Sequence, residues 1–174
     1  MWKLELDGSV SAYRAVLVSA WEAALDEADA VLALPAWREA LAAGASPLPR
    51  RVWLAPEEEP LLTAEECARL GEIVLPFAKF TDGRAFSQAT RLRRRGWHGR
   101  LTAFGAFLLD QLDYLRRCGF DGFVPDPARY DRAALERDGA RLLTVFPEPY
   151  QASAAVPEPL FRRRARGLAE EQTP

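Results

Sequence analysis

The sequence predicts an α/β protein with a mainly parallel sheet built from successive βα units. From about residue 31 onward, short apolar runs alternate with amphipathic segments, which is the pattern of parallel strands joined by crossover helices. Capping residues precede several of the amphipathic segments, and glycine follows several of them. Periodicity does not separate two arrangements of such units, so the prediction is either an incomplete βα barrel or a doubly wound open sheet.

The first two units lie between residues 31 and 70. Val31–Leu34 is an apolar strand segment, and a short helix is predicted over residues 35–44, with proline at its start and glycine at its end. Arg51–Leu54 is the second strand segment, followed by a helix over residues 63–70. That helix starts with Thr63-Ala64-Glu65-Glu66, a capping box in which the threonine and the last glutamate satisfy each other's backbone donors.

The third unit contains the strand segment Ile73–Leu75 and a helix over residues 83–95. Phe86 and Leu92 lie on one face of this helix, and Gly96 is placed to end it. Its arginine-rich last turn complements the negative end of the helix dipole.

The remaining segments continue the alternation to residue 146. Leu101–Phe104 is predicted as a strand, residues 107–118 as the most regular helix of the chain, and Phe120–Val124 as another strand. An Asp-Pro pair then starts a helix over residues 126–138, and Leu142–Phe146 is predicted as the last strand.

These elements form one predicted domain over residues 1–150. Within it, residues 1–30 are left open, because Ala15–Val18 fits either a strand or the start of an amphipathic stretch. Residues 151–174 contain prolines and an arginine cluster and are predicted to be an extended, partly disordered tail.

Composition restricts the classes of function. The chain has 174 residues, enough for a core without disulfides or metal, and its net charge of −2 gives no overall attraction to nucleic acid or anionic membranes. No apolar run is long enough to span a bilayer, and the acidic N-terminus does not resemble a secretory signal, so a cytoplasmic protein without a membrane partner is predicted.

No cofactor or metal is predicted. Two cysteines and one histidine do not supply an iron–sulfur cluster or a closed zinc site, and neither a GxGxxG fingerprint nor a P-loop is present. Catalytic residues are therefore not assigned.

The densest functional signal lies where the strand Ile73–Leu75 leads into the next helix. Loops at the carboxyl ends of parallel strands collect ligands, and this loop combines basic side chains, a glycine and a helix N-terminus. Such a turn suits a small anion such as phosphate, sulfate, sulfite or a carboxylate, or a protein partner. The alternative is that Asp82 only caps the helix and pairs with a neighbouring basic residue. The predicted binding residues are Lys79, Thr81, Asp82, Gly83, Arg84 and Gly105, the last from the next strand end.

The arginines of the chain suggest a further hypothesis, a nucleic-acid-binding module. It would use a set of arginines near the third helix: Arg91, Arg93, Arg94, Arg95 and Arg100. It ranks last, because the net charge is slightly negative and no aromatic recognition motif accompanies these arginines.

The segment Phe77–Ala89, FAKFTDGRAFSQA, resembles the FPKFTDGRGYSQA signature of the bacterial DUF934 family. Further similarity lies in Gly99–Gly105, Arg117–Phe123 and Pro159–Arg164, and the resemblance covers roughly residues 30 to 165. The chain departs from the family pattern at Ala106, where the family has an aspartate, so acid–base chemistry is not expected at that position.

The resemblance implies a link to sulfur metabolism, because members of the family are often encoded beside sulfite reductase genes. It implies an accessory protein of assimilatory sulfate and sulfite reduction, which binds a small anion or a reductase partner at the strand ends. The alternative implied by the family's frequent label is an oxidoreductase that borrows a cofactor or works within a sulfite reductase complex.

Overall fold

The strands of the protein form one curled, half-barrel sheet. The computed structural model describes residues 1–24, 27–145, 152–154, 156, 158–160 and 162. In this part of the chain the strands are β1 (Trp2–Glu5), β2 (Val10–Ala12), β3 (Val16–Val18), β4 (Ala30–Ala33), β5 (Arg51–Trp53), β6 (Glu72–Phe77), β7 (Arg100–Gly105) and β8 (Gly122–Pro125). The helices are α1 (Trp21–Ala24), α2 (Leu34–Ala42), α3 (Ala64–Arg69), α4 (Arg84–Arg94), α5 (Leu112–Cys118) and α6 (Arg132–Leu143), and a 3₁₀ helix, Leu109–Gln111, precedes α5.

The strands have mixed directions. Their order across the sheet is β2-β1-β8-β7-β6-β5-β4-β3, in which β3 to β8 are parallel neighbours while β1 is antiparallel to both β8 and β2. The α/β class is confirmed, but the sheet is mixed rather than mainly parallel. The N-terminal hairpin, which the sequence left open, is responsible for the difference.

The order of the parallel strands distinguishes the two predicted arrangements. A doubly wound sheet needs a point at which the strand order reverses, whereas β3 to β8 follow one another without reversal. The doubly wound alternative is therefore wrong, and the partly closed alternative agrees with the curled sheet. Crossovers of one hand place the helices on the same side of such a sheet.

The core lies between the helices and one face of the sheet. Alternate residues of β6 (Ile73, Leu75 and Phe77) belong to this core and are almost fully buried. The ring of Phe77 contacts the ring of Phe86 on α4, with centroids 5.2 Å apart, and that of Phe107 at 5.7 Å. Burial of each such side chain contributes about 1.5–3 kcal/mol, so β6 and α4 are held in a fixed relation.

Helix α3 begins as the sequence predicts. The Thr63 hydroxyl accepts a hydrogen bond from the backbone of Glu66, whose carboxylate accepts one from the Thr63 backbone at 2.7 Å. The predicted capping box is thus confirmed.

The last predicted helix and strand need correction. The helix expected over residues 126–138 begins at Arg132, because the Asp131 carboxylate caps the backbone of Ala134, while Asp126 caps a separate turn. The strand predicted at Leu142–Phe146 is wrong as far as the structure describes it. Leu143 continues the buried stripe of α6, and β1 occupies the place beside β8.

The helix predicted over residues 107–118 is two elements. The Gln111 side chain accepts a hydrogen bond from the Leu108 backbone at 2.9 Å, and the 3₁₀ turn formed there precedes α5. Most of the predicted tail lies outside the described residues. No helix in the described part is long and apolar enough to cross a membrane.

Candidate functional site

Four of the six predicted binding residues lie at the carboxyl end of β6 in residues 78–83, which we call the strand-end turn. Arg84 follows as the first residue of α4, and Gly105 is the last residue of β7. Strand β6 ends at Phe77 and α4 begins at Arg84. The Asp82 backbone donates a hydrogen bond to the Lys79 carbonyl at 3.1 Å, which closes the turn. The loop therefore lies where the sequence placed it, at the junction of a buried strand and a helix.

Arg84 is held by two carboxylates. Its Nε and Nη2 atoms donate to Asp82 at 2.9 and 2.6 Å, and its Nη1 atom donates to Glu57 at 2.7 Å. These hydrogen bonds raise the pKa of Arg84 and lower the pKa of Asp82 to about 2. An incoming anion would have to displace carboxylates that already occupy the guanidinium.

Asp82 also organises the start of α4. Its Oδ1 atom accepts a hydrogen bond from the Arg84 backbone at 3.1 Å, although the residue in the N-cap position is Gly83. The alternative to a binding site was that Asp82 only caps the helix and pairs with a basic neighbour. Both of these interactions are present in the structure.

Lys79, Phe80 and Thr81 face solvent at the tip of the turn. Phe80 is 47% exposed, and its carbonyl accepts a hydrogen bond from the Gln111 side chain at 3.2 Å. Among the described residues, no hydrogen bond or ion pair engages the Lys79 ammonium, although its charge helps to lower the pKa of Asp82. The tip therefore presents an aromatic ring beside a cation.

The two predicted glycines have different roles. Gly83 has φ −82°, and a Cβ atom there would meet no atom within 4 Å, so the backbone is open to approach. Gly105 has φ +106°, and a Cβ atom would lie 2.7 Å from the Phe77 carbonyl oxygen. The Ala106 backbone donates to that same oxygen, and the Asp126 backbone donates to the Gly105 carbonyl. Gly105 thus joins the ends of β6, β7 and β8 and lies at the same sheet edge as the strand-end turn.

The arginines of the nucleic-acid hypothesis are mostly paired. Arg91 and Arg95 both bond Glu59, and Arg100 bonds Glu5. Arg93 donates to Asp121 at 2.5 Å and also to three backbone carbonyls. Arg94 alone of this group has no partner in the described part of the chain, so these side chains do not form a continuous basic surface.

A buried charge network was missed by the sequence reasoning. On the sheet face opposite the core, Glu72 accepts hydrogen bonds from four side chains of the neighbouring elements. Its partners are Lys3 (3.3 Å), Tyr13 (3.3 Å), Thr102 (2.5 Å) and Arg51 (3.1 Å). Burial alone would raise the pKa of Glu72, but Thr102, Lys3 and Arg51 lower it overall. Burial, reinforced by the charge of Glu72, raises the pKa of Tyr13 to about 12.

A sequence signal for part of this network existed. Arg51 and Glu72 carry opposite charges at the first positions of two neighbouring parallel strands, and they are register partners. The predicted strand began at Ile73, one residue too late to include the carboxylate. Because every oxygen of Glu72 is engaged, the network is structural in character.

Among the described residues, no group of three or more histidine, cysteine or acidic side chains is arranged to hold a metal ion. Comparison with protein families finds that the model of DUF934, a bacterial protein of unknown function, matches residues 51–161. The match includes the strand-end turn, Gly105, and helices α3 to α6. No curated protein and no solved structure matches the chain.

Proposed function

The chain belongs to the DUF934 family of bacterial proteins of unknown function, and on that premise we propose that it is a cytoplasmic accessory protein of assimilatory sulfate and sulfite reduction. In this proposal the strand-end turn binds a reductase subunit. The link to sulfur metabolism rests on the family resemblance of residues 77–89, and the choice of a protein partner rests on the geometry of the turn.

The exposed ring of Phe80 is the observation that carries the proposal. The Phe80 side chain is 47% exposed at the tip of the turn, so a partner that buries it stabilises the complex by removing apolar surface from water. Buried aromatic anchors contribute much of the binding free energy at protein interfaces. Its backbone is held by Gln111 and the turn is closed at Lys79, so little conformational entropy is lost on binding. The neighbouring ammonium adds a contact for an acidic side chain.

A protein partner fits this turn better than a small anion does. The Arg84 guanidinium, which directly follows the turn, already forms close ion pairs with Asp82 and Glu57, so a small anion would have to displace these carboxylates. Lys79 alone offers a single exposed point charge, which supports only weak binding of an isolated anion. The partner surface that complements the turn is an apolar pocket flanked by carboxylates.

Binding to purified sulfite reductase subunits tests the proposal. We expect Phe80→Ala to weaken binding by about 30-fold or more, the size typical of a hot-spot residue, and Lys79→Ala to reduce the association rate more strongly at low salt. Leu61→Ala is the matched control, since Leu61 is an apolar side chain of similar exposure outside the turn. Equal binding by the Phe80 and Leu61 variants would remove the strand-end turn as the contact.

Growth provides a second test in the cell. A deletion strain should grow with cysteine but poorly with sulfate as the sole sulfur source, and the wild-type gene should restore growth on sulfate. The double variant Lys79→Ala/Phe80→Ala should fail to restore it. Full rescue by the double variant would contradict the proposed contact, and normal growth of the deletion strain on sulfate would contradict the pathway.

The oxidoreductase alternative makes a separate prediction. A protein that carries a bound flavin, siroheme or iron centre is coloured when freshly purified, and mass and metal analysis identify the group. A colourless preparation that also transfers no electrons when mixed with a sulfite reductase complex would count against this alternative.

A further inference from the structure

A groove between α4 and α5 lies outside the strand-end turn. It has a volume of about 490 Å³ and is lined by Thr90, Arg93, Arg94, Tyr114, Arg117 and Cys118, with residues 152–154 along one side. A smaller cavity of about 220 Å³ adjoins it and shares Thr90, Arg94, Tyr114 and Cys118. We call the two cavities together the α4–α5 groove.

In the part of the chain that the structure describes, the groove contains more positive charge than neighbouring carboxylates neutralise. Arg93 is fully engaged by Asp121 and backbone carbonyls. Arg94 forms no hydrogen bond or ion pair in the described part of the chain. Arg117 has only a long contact of 3.8 Å between its Nη1 atom and Asp113, whose carboxylate already bonds Arg116 at 2.8 Å. Within the described residues, two guanidinium groups, those of Arg94 and Arg117, are therefore left without a close carboxylate.

Arg117 supplies an independent sign of a ligand. Its Nε atom is buried and has no hydrogen-bond acceptor among the described residues. A buried donor without an acceptor is unfavourable, and native proteins rarely retain one unless an ion, a water molecule or a ligand completes it. An oxygen atom placed in the groove beside Arg117 would remove this cost.

The other lining groups suit a polar ligand with an apolar part. The Tyr114 side chain is 53% exposed, and its hydroxyl lies beside the buried thiol of Cys118. The Ser153 hydroxyl accepts a hydrogen bond from the Val156 backbone, which leaves its own proton free to donate. The Tyr114 ring packs on Phe86 with centroids 4.9 Å apart, forming an apolar wall.

We infer that the α4–α5 groove binds a tetrahedral oxyanion, the phosphate or sulfate group of a small molecule, held by Arg94 and Arg117. Guanidinium groups form bidentate, charge-assisted hydrogen bonds with such groups. Arg94 lies on α4, one helical turn after Thr90. Arg117 lies on α5, three residues after Tyr114. The two cations are therefore positioned by two different helices. The inference does not depend on the proposed function of the strand-end turn.

Titration of the full chain with inorganic phosphate and, separately, with inorganic sulfate tests the inference. We expect millimolar or tighter binding by calorimetry, with amide chemical-shift changes concentrated at Thr90, Tyr114, Arg117 and Cys118. Affinity should fall as sodium chloride is raised, because the contacts are ionic.

Arg94→Gln is the decisive variant. Loss of one charge-assisted contact should weaken binding roughly tenfold or more, and the fold should be kept because Arg94 has no partner among the residues that the structure describes. Arg117→Gln should weaken anion binding to a similar extent. If the Arg117 variant does not fold, the affinity of Arg94→Gln is sufficient to test the inference.

Two controls separate this groove from other cationic sites. Arg69→Gln removes an exposed arginine from α3, and Arg132→Gln removes one from α6. Both should bind phosphate and sulfate like the wild type. The inference is overturned if neither anion binds when its concentration reaches about 10 mM. It is also overturned if the Arg94→Gln and Arg69→Gln variants bind the anions with equal affinity, or if the chemical-shift changes lie at the strand-end turn.

Discussion

Replacing Glu72 by alanine should destabilise the protein more than any change of an exposed carboxylate. Glu72 is 8% exposed and Lys3 is 5% exposed, so the substitution leaves an ammonium group buried without its main partner. The hydroxyls of Tyr13 and Thr102 lose their acceptor in the same step. The change therefore removes one charge and leaves three buried donors to find other partners.

The expected loss follows from the surviving contacts. Removing one member of a buried ion pair costs about 3–5 kcal/mol. The Lys3 ammonium still lies 3.6 Å from Glu5, which places the expected loss near the lower limit, about 3 kcal/mol. Glu72→Gln keeps the shape and an acceptor oxygen but not the charge, so a loss of about 2 kcal/mol is expected.

Urea unfolding followed by circular dichroism measures the effect, with the slope of the transition checked for constancy. The matched control is Glu65→Ala, which breaks an exposed ion pair with Arg69 on α3 and should change the unfolding free energy by less than about 0.5 kcal/mol. If Glu72→Ala and Glu65→Ala lowered the unfolding free energy equally, the reasoning about the buried network would be refuted.

Three further variants test other local interactions. Gly105→Ala forces a side chain into a left-handed backbone and against the Phe77 carbonyl, so thermal unfolding should show a loss of about 1–3 kcal/mol, whereas Gly83→Ala should change little. Thr63→Ala removes the capping box of α3 and should cost about 1 kcal/mol in urea unfolding. The pKa of Tyr13 is raised from 10.0 to about 12. Its contribution to the free energy of unfolding is therefore fully present below pH 10 and is lost as the pH rises through about 12. Tyr13→Phe should remove that alkaline loss from a stability–pH curve.

Each of these expectations has a result that contradicts it. An unchanged melting temperature in Gly105→Ala would mean that the ends of β6, β7 and β8 adjust without cost. Equal unfolding of Thr63→Ala and wild type would mean that tertiary packing alone holds α3. If Tyr13→Phe lost stability at alkaline pH to the same extent as the wild type, the alkaline loss would belong to another titrating group.

The parallel units were predictable because each is encoded locally. Short apolar runs and the capping box at Thr63 specify β4 to β8 and α3 without reference to the rest of the chain. The position of the strand-end turn followed from the same information, since a buried strand and a helix define both sides of it. Its charge pairing did not follow, because Glu57 reaches Arg84 from a different loop.

The errors arise where distant segments meet. The antiparallel pairing of β1 with β8 joins segments more than a hundred residues apart in sequence, so local periodicity left residues 1–30 undecided. With that edge filled, the apolar residues Leu142 and Leu143 extend α6 instead of forming another strand. The α4–α5 groove was missed for a related reason, as its cations come from two helices and its side from residues 152–154.

The pairing of β1 with β8 also determines when the sheet is completed during synthesis. Leu4 is the register partner of Phe123, so β1 leaves the ribosome long before the strand it joins. Contacts of such sequence separation slow folding, because a long loop must close before they form. Until β8 emerges, the apolar side of the β1–β2 hairpin stays uncovered and Lys3 cannot reach the position beside Glu72 that it holds in the complete sheet. We therefore expect nascent chains that end before β8 to need a chaperone, and the closing of the N-terminal hairpin onto the sheet to be a late folding event.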